Sequence, residues 1–462
     1  MHQSTRRESD SLGDYEVPAD AWYGIQTARA VDNFQISRRA PDADFIVAHA
    51  QVKCAAAVAN RDCGVLEARL ASAIITAADA IAEGRYHEQF VVDRFQAGAG
   101  TSHNMNSNEV IANLANVSLG GQRGTYQPVH PNDHVNMSQS TNDTIPTAIR
   151  LAVITKMPRL LAAVDRFTEE LRIVAENERD TLKSGRTHLQ DAVPILLGQE
   201  FEAYAWTLDR LRTRLAATVE ALCETGLGGT AVGTGLNAPP GYAAAAAREL
   251  TRLTGMPIRV APNLIAQMQS MSDLQQLSSA LRNCALELIR IANDLRLLAS
   301  GPRTGFAEIM LPAVQPGSSI MPGKVNPVMF EMLNQVCYQV LGQDAAVAGM
   351  TQAGQLELNV MMPALGSALF DAMDWLTRAV LAAATRGIAG LTVDRERCAH
   401  FAHTSVGLAT LLNHHIGYRA AAEIAKSSAA SGRSVRELVL EQALMGAEEF
   451  DQLLAMAARG SC

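Results

Sequence analysis

Between Leu281 and Leu298 the stretch LRNCALELIRIANDLRLLASGP sets Leu281, Cys284, Leu288, Ile291, Leu295 and Leu298 at steps of three and four residues. That spacing makes one face of a helix apolar and leaves the rest polar. Gly301-Pro302 supplies the stop. The period recurs at Val153, Met157, Leu160, Val164, Phe167 and Leu171, where Pro158 should bend the helix or mark a late start. Further apolar-periodic segments run through Pro194 to Cys223, Met329 to Ala348 and Leu358 to Ile388. Several long helices in series point to a mostly α protein with a central helix bundle. The composition agrees: 48% of residues are apolar but only 5% aromatic, with much of the apolar content alanine and leucine.

The flanks differ from this centre. Up to about Asn142 the sequence is more broken, with EVPADAWYG, the tight GAGT of Gly98 to Thr101 and VHPNDHVN around Pro131, which predicts a smaller mixed, mostly helical domain over residues 1–142. The bundle then occupies residues 143–394. Beyond Asp394 shorter helical segments, including Ser434 to Leu444, predict a small helical domain over residues 395–462. Ala243 to Ala247 reads as helix, and no internal repeat stands out.

Charge and cysteines remove several function classes. A net charge of −8 with no long Lys/Arg run lacks the footprint that nucleic acid or an anionic membrane selects. The start, MHQSTRRESD, carries no apolar segment, and no later stretch reaches ~18 uninterrupted apolar residues, so a soluble, cytoplasmic protein is expected. Cys54, Cys63, Cys223, Cys284, Cys337, Cys398 and Cys462 are an odd, scattered set without zinc spacing, which favours reduced thiols and predicts no metal site.

Polar groups concentrate in short islands at helix edges and turns: GAGTSHNMNSNE at Gly98 to Glu109, SQSTND at Ser138 to Asp143, SGRTHLQDAVP at Ser184 to Pro194, and GSSIMPGKVNP at Gly317 to Pro327. Any one of them could be no more than helix capping, Ser140, Thr141, Asn142 or Asp143 serving the helix that follows. Together, hydroxyls, amides, a lysine and a histidine suit a small carboxylate, whereas paired acids for glycoside chemistry and clustered metal ligands are missing. In Gly317 to Pro327 the residue after Lys324 is Val325, so the stretch is not a phosphate-binding P-loop. Gly226, Gly228 and Ala231 spell GxGxxA, but the preceding segment is helical in period, so no strand is expected to feed the turn and dinucleotide binding is disfavoured. No cofactor is expected. His188, beside Arg186, Thr187 and Gln190, and Lys324, in a rigid glycine-proline turn, are candidate ligand-binding groups.

The islands together resemble the fumarase and aspartase superfamily, whose signature GSSxMPxKxNP is matched throughout Gly317 to Pro327. The resemblance extends from SLGDYEVPADAWYG to LNHHIGYRAAAEIAK. It is nearer the aspartase side through GAGTS, SQSTND, QDAVP and GQLELNVMMP; Ala99, Ser102, Thr141 and Val193 differ from the usual fumarase residues. It implies a fumarase/aspartase-like fold, a homotetramer, and active sites each shared by three subunits. It also implies reversible anti elimination of ammonia from L-aspartate to give fumarate. On the same grounds Ser318 is the general base and Thr101, Ser140, Thr141 and Ser319 donate to the carboxylate that becomes an aci-carboxylate. Lys324, Asn326, Thr187 and His188 hold the other carboxylate, and Asn142 meets the amino group. Glu331 stands where fumarases pair a glutamate with the matching histidine. Gly323, where some aspartases have alanine, decides nothing, whereas Phe330, often proline in relatives, leaves room for a different amine. Alternatives of the same fold are a fumarate hydratase and a non-catalytic helical scaffold.

Overall fold

The structure, a computed structural model, describes residues 4–460, so Cys462 and the first three residues of MHQSTRRESD lie outside it. It is 63% helical, and its longest helices are Thr141–Asn177, Leu197–Ala217, Ser272–Leu298, Val328–Gln352 and Met362–Ala383. The mostly α fold built around long helices that the sequence predicts is the fold observed. The apolar stripe of Ser272–Leu298 is fully used: Leu274, Leu277, Leu281, Cys284, Leu288, Ile291 and Leu295 are each at most 1% exposed.

Two sequence expectations about helix ends need correction. Helix Thr141–Asn177 starts well before Pro158 and carries both Pro146 and Pro158 inside it, so Pro158 does not mark a start. Packing of the apolar face through Leu160, Val164, Phe167 and Leu171, all at most 1% exposed, outweighs the lost backbone bonds. Helix Leu197–Ala217 starts three residues after Pro194, which belongs instead to a strand. Ser434 caps helix Val435–Glu441 in a reciprocal pair with Glu437.

Contacts divide the chain into two compact units. The first comprises residues 4–161, 214–283 and 339–376 of the described chain. In it the helices Ala43–Asp62, Ala68–Ala82 and Thr101–Ser118 enclose a core of Ile46, Ile74, Ile81, Phe90, Val110 and Ile111. An antiparallel hairpin pairs Thr5–Asp10 with Gly13–Pro18. The Arg150 guanidinium bonds Asp273 at 2.7 and 3.0 Å, tying two long helices.

The second unit comprises residues 162–213, 284–338 and 377–460 of the described chain. Its hairpin, Leu182–Thr187 with Gln190–Leu196, packs against helices Arg395–Thr404 and Ala447–Arg459. Gly407 permits the close approach there, since a Cβ would lie 2.3 Å from the Ala192 carbonyl oxygen. Phe450, Leu438 and Leu412 lie in the core of the C-terminal helices.

Candidate active site

In the first unit, Gly98-Ala99-Gly100 turns tightly, with Ala99 at φ 61° and Gly100 at φ 88°, and delivers Thr101 exposed at the first turn of helix Thr101–Ser118. Ser140 caps helix Thr141–Asn177: its hydroxyl oxygen accepts the Asn142 amide at 3.2 Å, and its own amide donates to the Asp143 carboxylate at 2.9 Å. The capping role weighed from sequence is therefore real for Ser140. It fixes the half-buried Thr141 and Asn142 in the first helical turn. Asn142 donates to the Ala231 carbonyl at 2.8 Å.

Behind this turn lies a buried network. The Asp143 carboxylate also accepts the amides of Gly228 at 3.1 Å and Thr230 at 2.9 Å, and burial pushes it up to about 7 against the pull of those donors. The Gly226-to-Ala231 stretch thus serves as an amide cradle for Asp143 and Asn142. A two-residue strand, Glu224–Thr225, does precede Gly226, pairing in parallel with Arg259–Val260, which corrects the expectation of no strand. It follows helical turns, and the next helix begins only at Tyr242, so the dinucleotide-binding context is still lacking. A Cβ at Gly228 would meet the Ala243 Cβ at 2.6 Å, which explains that glycine by packing.

Lys53, fully buried, donates to Asn104 Oδ1 at 2.7 Å, Gln139 Oε1 at 3.0 Å and Asn136 Oδ1 at 3.1 Å. Burial pushes it down to about 7, with the nearby Asp143 acting against that shift. Asn104 in turn donates to Thr141 Oγ1 at 3.1 Å. Sequence reading passed over Lys53 and placed Asn104 in the GAGTSHNMNSNE island without giving it a role. The available signal was a lone lysine in the apolar run QVKCAAAVAN.

In the second unit, His188 and Leu189 form the two-residue tip of the hairpin, both with positive φ (56° and 58°), as a hairpin turn of this length requires. Thr187 and His188 are exposed there. Ser184 to Pro194 was expected as a polar turn but is mostly strand, because pairing of Lys183 with Ile195 and Thr187 with Gln190 satisfies its backbone. Arg186 is clamped by Glu308, 0% exposed, at 2.9 Å and lies over the Phe306 ring. Glu308 was also missed in the sequence; its polarity stands alone in the stretch FAEIML.

The Gly317-to-Pro327 loop belongs to the same unit. Its ends are clasped by the Gly317 amide on the Lys324 carbonyl at 2.8 Å and by Asn326 Nδ2 on the Gly317 carbonyl at 2.7 Å. A Cβ at Gly317 would sit 2.5 Å from that Lys324 oxygen, so only glycine closes the loop this way. Inside it, Ser318 Oγ accepts two backbone amides, from Met321 at 3.0 Å and Ile320 at 3.2 Å. Ser319 and Lys324 are exposed, Asn326 and Glu331 half-buried. Among the described residues no ion pair joins His188 to Glu331. Phe330, 0% exposed, packs beside Gly387 and anchors helix Val328–Gln352 directly after the loop.

Residues 13–342 match the lyase family, and residues 408–458 match the fumarase C C-terminus. An aspartate ammonia-lyase of Bacillus sp is 44% identical over 98% of this chain and 97% of its own length, and one of Pseudomonas aeruginosa is 49% identical over 96% and 94%. A solved structure of a fumarate lyase:delta crystallin from Brucella melitensis, bound to cobalt, is 47% identical, with a TM-score of 0.96 covering 99% of this chain and 100% of that one. The chain belongs to the fumarase/aspartase family of lyases.

Proposed function

We propose that this protein is an aspartate ammonia-lyase that reversibly eliminates ammonia from L-aspartate to give fumarate. The near-full-length identity to relatives of that name carries the reading. The loop geometry supports its chemistry. A serine can take a proton from Cβ only as an alkoxide, and hydrogen bonds to the charged form favour it. Ser318 Oγ already accepts the two amides of Ile320 and Met321. The Cβ–H pair then flows into the adjacent carboxylate as an aci-carboxylate, and collapse of that dianion expels the amino group from Cα. Thr101, Ser140, Thr141 and Ser319 donate to the aci-carboxylate, where fixed donors matter most at peak charge. Lys324, Asn326, Thr187 and His188 hold the other carboxylate, Asn142 contacts the amino group, and Glu331 supports His188. No cofactor takes part.

These groups come together in a homotetramer, each site drawing the Ser138 region, the Thr187-His188 tip and the Gly317 loop from three subunits. Exposed apolar side chains on the long helices, among them Trp206, Leu286 and Tyr338, support such burial between copies. Residues 1–142, 143–394 and 395–462 act as N-terminal, bundle and C-terminal domains. Among the described residues no helix is long and apolar enough to cross a membrane; the place of action in this reading is the cytoplasm.

The test is fumarate absorbance from L-aspartate and, separately, from L-malate. Faster turnover of aspartate is expected. Faster turnover of malate would make the protein a fumarate hydratase, and no turnover by a folded protein would make it a scaffold.

A further inference from the structure

Lys53, in helix Ala43–Asp62, is 0% exposed, and its Nζ donates to three neutral amide oxygens, those of Asn104, Asn136 and Gln139. An amide can present either its oxygen or its NH2 in a given direction, and the two ends differ in sign. Donation from Nζ at 2.7 Å holds the oxygen of Asn104 toward Lys53. The hydroxyl of Thr144 lies 3.4 Å from the same oxygen and 3.1 Å from the Ser140 carbonyl. The NH2 end must then face the other way, where it donates at 3.1 Å to Thr141 Oγ1 and at 3.1 Å to Asn136 Oδ1. Asn136 Oδ1 also accepts from Lys53 at 3.1 Å and Asn108 at 3.2 Å, so the atom that faces the Asn104 NH2 is itself held as an acceptor.

The consequence falls on Thr141. Its oxygen is occupied by an inward donor, so its hydroxyl proton is left to be given outward. We propose that Lys53 and Asn104 are positioning residues that fix the Thr141 hydroxyl as a donor toward the substrate carboxylate. The inference rests on the functional reading above, in which Thr141 meets that carboxylate. A threonine hydroxyl free to rotate donates inward or outward; one whose acceptor side is filled by a pinned amide is committed before the ligand arrives. Such commitment is what makes a donor useful to a transition state rather than only to binding.

Asn104→Asp tests the polarity directly. The carboxylate stays paired with Lys53, so the fold has a favourable ion pair at that position, but the group facing Thr141 becomes an acceptor and turns the hydroxyl inward. Fumarate formation from L-aspartate and succinate binding by calorimetry are measured for the wild-type chain, Asn104→Asp, Asn104→Ala, Thr141→Ala and the two double variants. Loss of one such donor costs roughly 10²-fold in kcat. The expected result is a loss in Asn104→Asp close to that of Thr141→Ala, carried by kcat more than KM, and about tenfold in the uncharged Asn104→Ala. Each double variant should be no slower than Thr141→Ala alone, because the relay has a single outlet. Multiplicative losses in the double variants, or Asn104→Asp within threefold of wild type, overturn the relay while leaving the functional reading standing. A wild-type protein that neither forms fumarate nor binds succinate overturns the functional reading and the relay with it.

Discussion

The Ser140-to-Asp143 turn and the Gly317-to-Pro327 loop carry similar side chains and are built in opposite ways. Around the turn, Lys53, Asn104 and Asp143 are at most 2% exposed, and hydrogen bonds fix every one of them. Along the loop Ile320, Met321 and Val325 are 84%, 49% and 51% exposed, and the segment is closed on itself by backbone bonds and Asn326. The difference matches two demands on one reaction. Donors to developing charge act best when already fixed and need no reorganisation. A base that must reach a bound substrate does better on a segment that few apolar contacts restrain. The buried cradle and the exposed loop that carries the proposed base are therefore expected to respond differently to substitution.

The largest effect should come from the loop. Ser318→Ala removes the proposed base and should lower kcat by roughly 10³-fold or more with little change in substrate binding. Its thermal midpoint should stay within about 1 °C of wild type, since the side chain is only half-buried and exchanges bonds within the loop. A drop of several degrees, seen by calorimetry, would erase the contrast between the two regions.

Lys53→Met should show the reverse pattern. It takes one donor from each of the amide oxygens of Asn104, Asn136 and Gln139 and should destabilise the fold by about 2 kcal/mol, read by urea denaturation, with activity falling alongside. Unchanged stability would mean that the cradle is not held by that lysine. Lys324→Ala, on the exposed side, should instead weaken substrate binding by about tenfold and leave stability alone, since it loses the proposed charge partner of a carboxylate present before reaction. Similar mild losses in Ser318→Ala and Lys324→Ala would contradict their separate roles.

The same contrast extends to the pH dependence of stability. Asp143 and Glu109 are raised from 3.8 and 4.5 to about 7 by burial, so between those values the folded state holds more protons than the unfolded one. Their contribution is complete below about pH 4 and is lost as pH rises through 7. Lys53, lowered from 10.5 to about 7, has the opposite sign: its contribution is complete above about 10.5 and is lost as pH falls through 7. Urea midpoints should thus decline from pH 5 toward 7 and recover above it, and Lys53→Met should lack the recovery. A recovery of equal size in the variant would assign it to other groups.

Much of this was legible in the residues. The step of three and four through Leu281 to Leu298 reports a buried helical stripe directly, because burial of one face is what that spacing encodes. The loop was legible because Gly317, Pro322, Gly323 and Pro327 exclude regular structure. The hairpin at Thr187-His188 was not: its strands alternate poorly, and its residues are held by packing against helices more than two hundred positions away. Lys53 and the role of Asn104 were missed for a related reason. Each sits inside a helix, and only the third dimension shows that the two meet each other and Thr141.

Mixing two inactive variants tests most directly whether cradle and loop serve one reaction from different chains. Ser318→Ala and Thr141→Ala, each poorly active alone, are refolded together so that subunits exchange, with mixed tetramers verified by native mass spectrometry. Random mixing in a symmetric assembly should leave roughly a quarter of the sites with Ser318 from one chain and Thr141 from another, and aspartate turnover should recover to about that fraction of wild type. Turnover no higher than the average of the separate variants, in confirmed mixed tetramers, would mean that each site is completed within a single chain and would contradict the account.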